Sequence, residues 1–201
     1  VGYSVYDHEV LSNVYETALE YHYLKRPYEL IPGLVEAVPE PRPLADGRVA
    51  YTFALRRGVR FASDPCFDIV EPGRTQRELV ATDLIFALQR IADPKVGSPV
   101  LVTFSKIVGL AEFGKRLAKL REDDPAFASL RIDEQYRRAG PIEGLIAQGT
   151  HALEITLDAP YPQILYWFAM PFTSPVPWEA VAYYDGEDRR DGFAEHAVGT
   201  G

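Results

Sequence analysis

The run Val49-Ala50-Tyr51-Thr52-Phe53-Ala54-Leu55 carries the clearest structural signal in the chain. Val49, Tyr51, Phe53 and Leu55 alternate with Ala50, Thr52 and Ala54, the period of two expected of a strand that covers a core with one face. Asp46-Gly47, just upstream, supplies the positive-φ geometry of a tight hairpin turn. The same alternation returns at residues 152–158, where Leu153, Ile155 and Leu157 interleave with Ala152, Glu154 and Thr156. Both segments are therefore expected in β-structure of one unit, with Tyr51, Phe53, Leu153, Ile155 and Leu157 buried.

Outward from these strands the period changes to that of helices. Within residues 10–20, Leu11, Val14, Tyr15, Ala18 and Leu19 have the spacing of one buried helical face. Leu84, Ile85, Leu88 and Ile91 form a second stripe, with Asp83 in the first turn, where the helix dipole favours an anion, and Asp93-Pro94 as the stop. Residues 106–120 predict a third helix, with Phe113, Leu117 and Leu120 inward and Lys115, Arg116, Lys119 and Arg121 on its wet face. Shorter helices are expected at 131–139, 161–168 and 178–184. Prolines punctuate residues 27–43, so only short extended pieces such as 34–38 form there. Residues 63–77 hold two prolines, Gly73 and no period, and read as an exposed loop.

Composition narrows the chemistry. A chain of 201 residues with 47% hydrophobic side chains buries a core without metal or disulfide. Its 29 acidic and 21 basic groups leave a formal charge of -8, which disfavours nucleic acid and anionic membrane as partners. No apolar run reaches the roughly 18 residues of a membrane span. The chain begins at Val1 without a basic or apolar leader, so an export signal has been removed or was never included. Cys66 is the single cysteine, and His8, His22, His151 and His196 lie far apart in sequence, so neither a metal nor a cofactor is expected. Cys66 also lacks the context of a nucleophile, and no Gly-x-Ser-x-Gly elbow is present. The acidic stretch Asp185-Gly186-Glu187-Asp188 reads as a solvated loop.

Aromatic content is the unusual feature, with 12 Tyr, 10 Phe and 2 Trp, crowded into residues 1–28 and 161–184. Tyrosine offers a flat apolar face and a hydrogen-bonding tip, which suits a site that grips varied ligands. By helical phase Tyr15 and Trp167 belong to the core, whereas Tyr3 and Tyr6 are better candidates for a ligand surface.

Several segments, in order, resemble the extracytoplasmic solute-binding proteins of ABC importers, in their dipeptide, oligopeptide and nickel-binding family. They are Asn13-Val14-Tyr15-Glu16-Thr17-Ala18-Leu19 and Leu30-Ile31-Pro32-Gly33-Leu34-Val35-Glu36, then the most specific match, Tyr51-Thr52-Phe53-Ala54-Leu55-Arg56-Arg57-Gly58-Val59-Arg60-Phe61. The helix from Leu79 to Arg90 with Asp93-Pro94, the strand at Leu153 to Leu157, Thr173-Ser174-Pro175-Val176-Pro177 and Val198-Gly199-Thr200-Gly201 follow. This sequence departs from the family at the longer loop after Phe61 and at Val80, where a capping threonine is common.

The resemblance implies an α/β fold (an α+β lobe) of the periplasmic-binding-protein-like type II. It implies a start of the first ligand-binding lobe at 1–25, an accessory lobe at 26–195 and a glycine-rich turn at 196–201 leading to a missing lobe. It further implies capture of peptides or similar small solutes between lobes, delivery to an ABC permease in the membrane, a periplasmic or extracytoplasmic, membrane-associated location, a monomer, and no bond chemistry. Carried over position by position, Tyr3, Val5, Tyr6 and His8, with Met170 and Phe172, face the cleft, and Gly199, Thr200 and Gly201 form the hinge. With one cleft wall only, the chain alone is expected not to bind solute. Two other readings stand beside this one: a fragment of a carbohydrate-active hydrolase, for which no carboxylate pair is singled out, and an aromatic-rich protein-interaction module.

Overall fold

A computed structural model of the chain describes residues 11, 13–185, 192, 193 and 196–201. Two short antiparallel strands, β1 (Leu19–Tyr21) and β2 (Leu30–Pro32), come first. The main sheet is built from β3 (Arg42–Pro43), β4 (Val49–Ala54), β5 (Leu145–Ala147) and β6 (Ala152–Leu157), antiparallel throughout in the order β3-β4-β6-β5. Tyr51 pairs with Ile155 and Phe53 with Leu153, so their side chains share one face. These four residues and Leu157 are at most 2% exposed, as the alternation requires. The β3–β4 turn closes at Gly47, whose φ of 86° only glycine adopts without strain.

Among the described residues seven α-helices of four residues or more follow: α1 (Ala81–Ala92), α2 (Leu101–Phe104), α3 (Leu110–Asp123), α4 (Pro125–Ala128), α5 (Ile132–Ala139), α6 (Ile164–Trp167) and α7 (Trp178–Tyr184). The α1 helix packs on β5 and β6, and α3 packs on α1. A Cβ at Gly114 of α3 would lie 2.3 Å from the Ala92 carbonyl oxygen, so glycine there lets the two backbones touch. Without a hydroxyl at Val80, the start of α1 is held by Asp83, whose Oδ2 accepts the Val80 N–H at 2.9 Å. It stops at Asp93, which is extended (φ -71°, ψ 117°) because Pro94 follows.

The structure corrects four sequence expectations. The helix expected through residue 20 ends early: Tyr15 N–H still reaches Leu11 O, but Leu34 N–H donates to Thr17 O, Gly33 N–H to Ala18 O, and Leu19 begins β1. Pairing with residues 30–34 outweighs the local period, and Ala18 and Leu19, adjacent in sequence, are both fully buried. Residues 63–77 are not simply an exposed loop. Pro65–Ile69 forms a 3-10 helix that buries Cys66 and Phe67, capped by Asp64, whose Oδ1 accepts the Cys66 N–H at 2.8 Å. The helix expected from residue 106 begins at Leu110, because Ile107 bridges to Leu157 at the end of β6. Arg121 leaves the wet face and is buried against Asp93.

Candidate functional site

Residues 160–177 join β6 to α7 and carry a shelf of aromatic side chains. Ile164 and Phe168, one helical turn apart, anchor the segment from inside. The Phe168 ring lies 4.6 Å from Phe53 of β4 and 5.9 Å, edge-on, from Phe104 of α2. Phe104 also meets Phe172 edge-on at 6.2 Å, and Trp167 lies 6.2 Å from Phe172. Trp167 Nε1 donates to the Tyr161 hydroxyl at 3.2 Å, and the Thr173 hydroxyl lies 2.8 Å from Met170 O and 3.2 Å from Trp167 O. Tyr161, Trp167 and Phe172 are thus half-buried, packed on the core on one side and partly open on the other, and Met170 beside them in sequence is half-buried too. Val102 of α2, two residues before Phe104, is 81% exposed. Such a surface supplies apolar faces and a few hydrogen-bonding tips on a rigid support, which is binding chemistry.

A second feature is the joint made by residues 196–201. The His196 ring stacks on Tyr184 with centroids 3.8 Å apart. The Val198 N–H donates to the Tyr15 hydroxyl at 3.2 Å, Ala62 N–H to Gly199 O at 2.8 Å, and Gly201 N–H to Val14 O at 3.0 Å. A Cβ on Gly199 would lie 1.9 Å from Val14 O, so this crossing admits glycine alone. Residues 14–19 connect the joint to the shelf, since Leu19 N–H donates to Phe168 O at 3.1 Å. Burial, then the carboxylate of Asp64 within hydrogen-bond reach, push the Tyr184 hydroxyl up to about 12, so it stays a donor.

The third feature is a buried ion cluster. Arg77 donates through Nε and Nη2 to Glu179 at the start of α7, and through Nη1 and Nη2 to Asp83 in α1. Nη1 also reaches Glu78 O, which occupies the last of its five N–H donors. A cavity of about 280 Å³ lies over this cluster, walled by Arg74, Glu78, Val80, Thr82 and Trp178, but its floor is hydrogen-bond complete. Cys66 lies nearby, and burial, with Asp64 next, pushes its thiol up and keeps it protonated.

Of the residues singled out from sequence, Met170 and Phe172 lie on the shelf, and Gly199, Thr200 and Gly201 lie in the joint. Tyr3, Val5, Tyr6 and His8 lie outside the described residues. Trp167, assigned to the core by phase, packs on the core but is only half-buried, and neither the buried Phe104 beneath Phe172 nor the exposed Val102 was foreseen. The local apolar composition of residues 100–104 was their only sequence signal. Among the described residues no group of His, Cys, Asp and Glu is arranged to hold a metal ion, and no helix is long and apolar enough to cross a membrane.

The family profile of bacterial extracellular solute-binding proteins, family 5 middle region, matches residues 29–201. The chain belongs to this family. Among curated relatives, the di/tripeptide-binding protein 2 of Pseudomonas aeruginosa is 28% identical over 176 residues, covering 86% of this chain and 26% of that protein. Among solved structures, the pheromone receptor PrgZ superposes with a TM-score of 0.66 at 21% identity, over 100% of this chain and 32% of its own. The murein tripeptide binding protein MppA of Escherichia coli gives 0.62 at 18% identity, over 100% of this chain and 31% of its own. OppA of Burkholderia pseudomallei gives 0.63 at 19% identity, over 99% and 31%. The fold is that of type II periplasmic binding proteins, and the chain spans about a quarter to a third of the length of these relatives.

Proposed function

We propose that the protein to which this chain belongs is the peptide-capturing component of an ABC importer. It would close two lobes on a peptide outside the cytoplasmic membrane and deliver it to the permease, as a monomer and without making or breaking a bond. The observation that carries this reading is the half-exposed shelf of Tyr161, Trp167 and Phe172, with Met170 beside it in sequence, held from within where Phe172 meets the buried Phe104. The relatives named for peptides support the ligand class. A ligand between lobes stabilises the closed form through its differential contacts, and the closed form is the one a transporter can recognise.

In this reading Met170 and Phe172, with Tyr3, Val5, Tyr6 and His8, line the cleft, and Gly199, Thr200 and Gly201 serve as hinge. Residues 1–25 begin the first ligand-binding lobe, 26–195 form the accessory lobe, and 196–201 lead onward. Calorimetric titration of the full-length protein with a tripeptide and an octapeptide library is the test, with Trp167→Ala and Phe172→Ala alongside. Binding weakened about tenfold in each variant, with unchanged thermal unfolding, is expected. Wild-type protein that binds no peptide overturns the reading.

A further inference from the structure

The shelf lies on backbone that is neither strand nor long helix, so no periodic ladder of hydrogen bonds holds its rings in place. Two successive turns carry them. Met170 N–H donates to Trp167 O at 3.1 Å, and Thr173 N–H donates to Met170 O at 3.0 Å, which puts Trp167 at the head of the first turn and Phe172 inside the second. Each of these bonds closes its own turn, and neither fixes one turn on the other.

The Thr173 hydroxyl spans both. It lies 2.8 Å from Met170 O and 3.2 Å from Trp167 O, so its single proton is shared by the carbonyls that head the two turns. Thr173 is 1% exposed, and the 3-10 helix Pro171–Thr173 that ends with it packs against α1, so the hydroxyl is seated in the core of the lobe while the carbonyls it reaches belong to the shelf. The two rings it thereby fixes are those of Trp167 and Phe172, 6.2 Å apart and half-buried. The next residue supplies a contrast. The Ser174 hydroxyl is also buried, yet it has no hydrogen-bond partner among the described residues. Of two adjacent buried hydroxyls, one is tied to the shelf and the other is not.

We propose that Thr173 is a positioning residue for the shelf: its hydroxyl, without touching the ligand, sets the place of the Trp167 ring relative to Phe172 and so the affinity for a peptide. This deepens the peptide-binding reading above and rests on it. Thr173→Val removes the hydroxyl at nearly constant shape. Both carbonyls keep their backbone N–H partners, so the change frees one turn from the other without stranding a buried polar group.

The test is calorimetric titration of the full-length protein with two probes, the tripeptide Ala-Phe-Ala and an octapeptide of alanine with a single phenylalanine, with thermal unfolding checked for every variant. Thr173→Val is expected to weaken binding about fivefold, Thr173→Ser to stay within about twofold of wild type, and Ser174→Ala to leave affinity unchanged. A double-mutant cycle separates positioning from a general loosening of the lobe: in a Trp167→Ala background, where the positioned ring is gone, Thr173→Val should cost less than about twofold more. Wild-type affinity in Thr173→Val, the full loss repeated in the Trp167→Ala background, or an equal loss in Ser174→Ala overturns this inference alone. A fall of more than about 5 °C in the unfolding midpoint of Thr173→Val would make the role one of stability and overturns it too. Wild-type protein that binds neither probe overturns the peptide-binding reading along with it.

Discussion

Arg77 and Arg121 are both buried and both grip carboxylates bidentately, but Arg77 serves two carboxylates and Arg121 one. Arg121 donates to Asp93 at 2.5 and 2.8 Å and to Gln135 at 2.7 Å, while Asp93 also accepts from the Tyr136 hydroxyl and the Lys95 N–H. One cation meets one anion there, with hydrogen bonds left over. Burial opposes the Asp93 charge, but Arg121 and the added donors outweigh it and hold the carboxyl below its usual range. At Arg77, burial opposes the guanidinium, and Asp83 and Glu179 more than compensate, so its pKa rises. Asp83 pays the difference: burial dominates over Arg77, and its carboxyl is pushed up. Two anions sharing one cation leave one negative charge unanswered in a medium that solvates it poorly. The ratio of partners, rather than their presence, decides which site is electrostatically relaxed.

The largest effect expected from this contrast is that of Arg77→Met. It strands two buried carboxylates from α1 and α7 at once, and urea unfolding should record a loss of about 3–5 kcal/mol. A loss below that of removing Arg121's partner would break the comparison. Asp93→Asn comes next, at about 3 kcal/mol, because it leaves the Arg121 guanidinium buried with only neutral acceptors.

Acid sharpens the difference in sign. The stability owed to Asp93, whose folded-state pKa is lowered, is fully present above the unfolded carboxylate value of about 4 and is lost as pH falls through the lower folded value. Asp83, whose folded-state pKa is raised, contributes in the opposite sense: its contribution is present below about pH 4 and is lost as pH rises through the folded value. Urea titrations in steps from pH 5 to 2 should therefore show a flatter acid decline in Asp93→Asn than in wild type; equal slopes would contradict the assignment. The smallest effect is expected of Glu179→Gln. It turns two-to-one into one-to-one, keeps a hydrogen-bond acceptor for Arg77, and should change stability by less than about 1 kcal/mol. A loss as large as that of Asp93→Asn would show that both carboxylates are needed as charges.

Neither cluster was visible in the sequence, although Asp83 and Asp93 were noted for their helix-end roles. Glu179 lies 102 positions from Arg77, and Asp93 lies 28 from Arg121, and no local period encodes such pairs. The site was legible only in part. Met170 and Phe172 were singled out because they stand just ahead of Thr173-Ser174-Pro175-Val176-Pro177, whereas over the single turn of α6 phase could not tell that Trp167 packs on the core with only part of its ring covered. Val102 and Phe104 sit on a helix of four residues, with the same difficulty.

By itself the sequence determined the elements whose side chains repeat long enough to choose a face. The strands β4 and β6 follow from a period of two, α1 from a period near 3.6 closed by Asp93-Pro94, and the β3–β4 turn from Asp46-Gly47. Tertiary structure alone decided that Leu19–Tyr21 is a strand, that Cys66 and Phe67 are inside, and that Trp167 is half outside. Periodicity tells a segment which of its sides to hide, but the partner that hides it, or competes for its backbone hydrogen bonds, comes from elsewhere in the chain. Residues 30–34 take the backbone of residues 17–19 away from a helix for that reason.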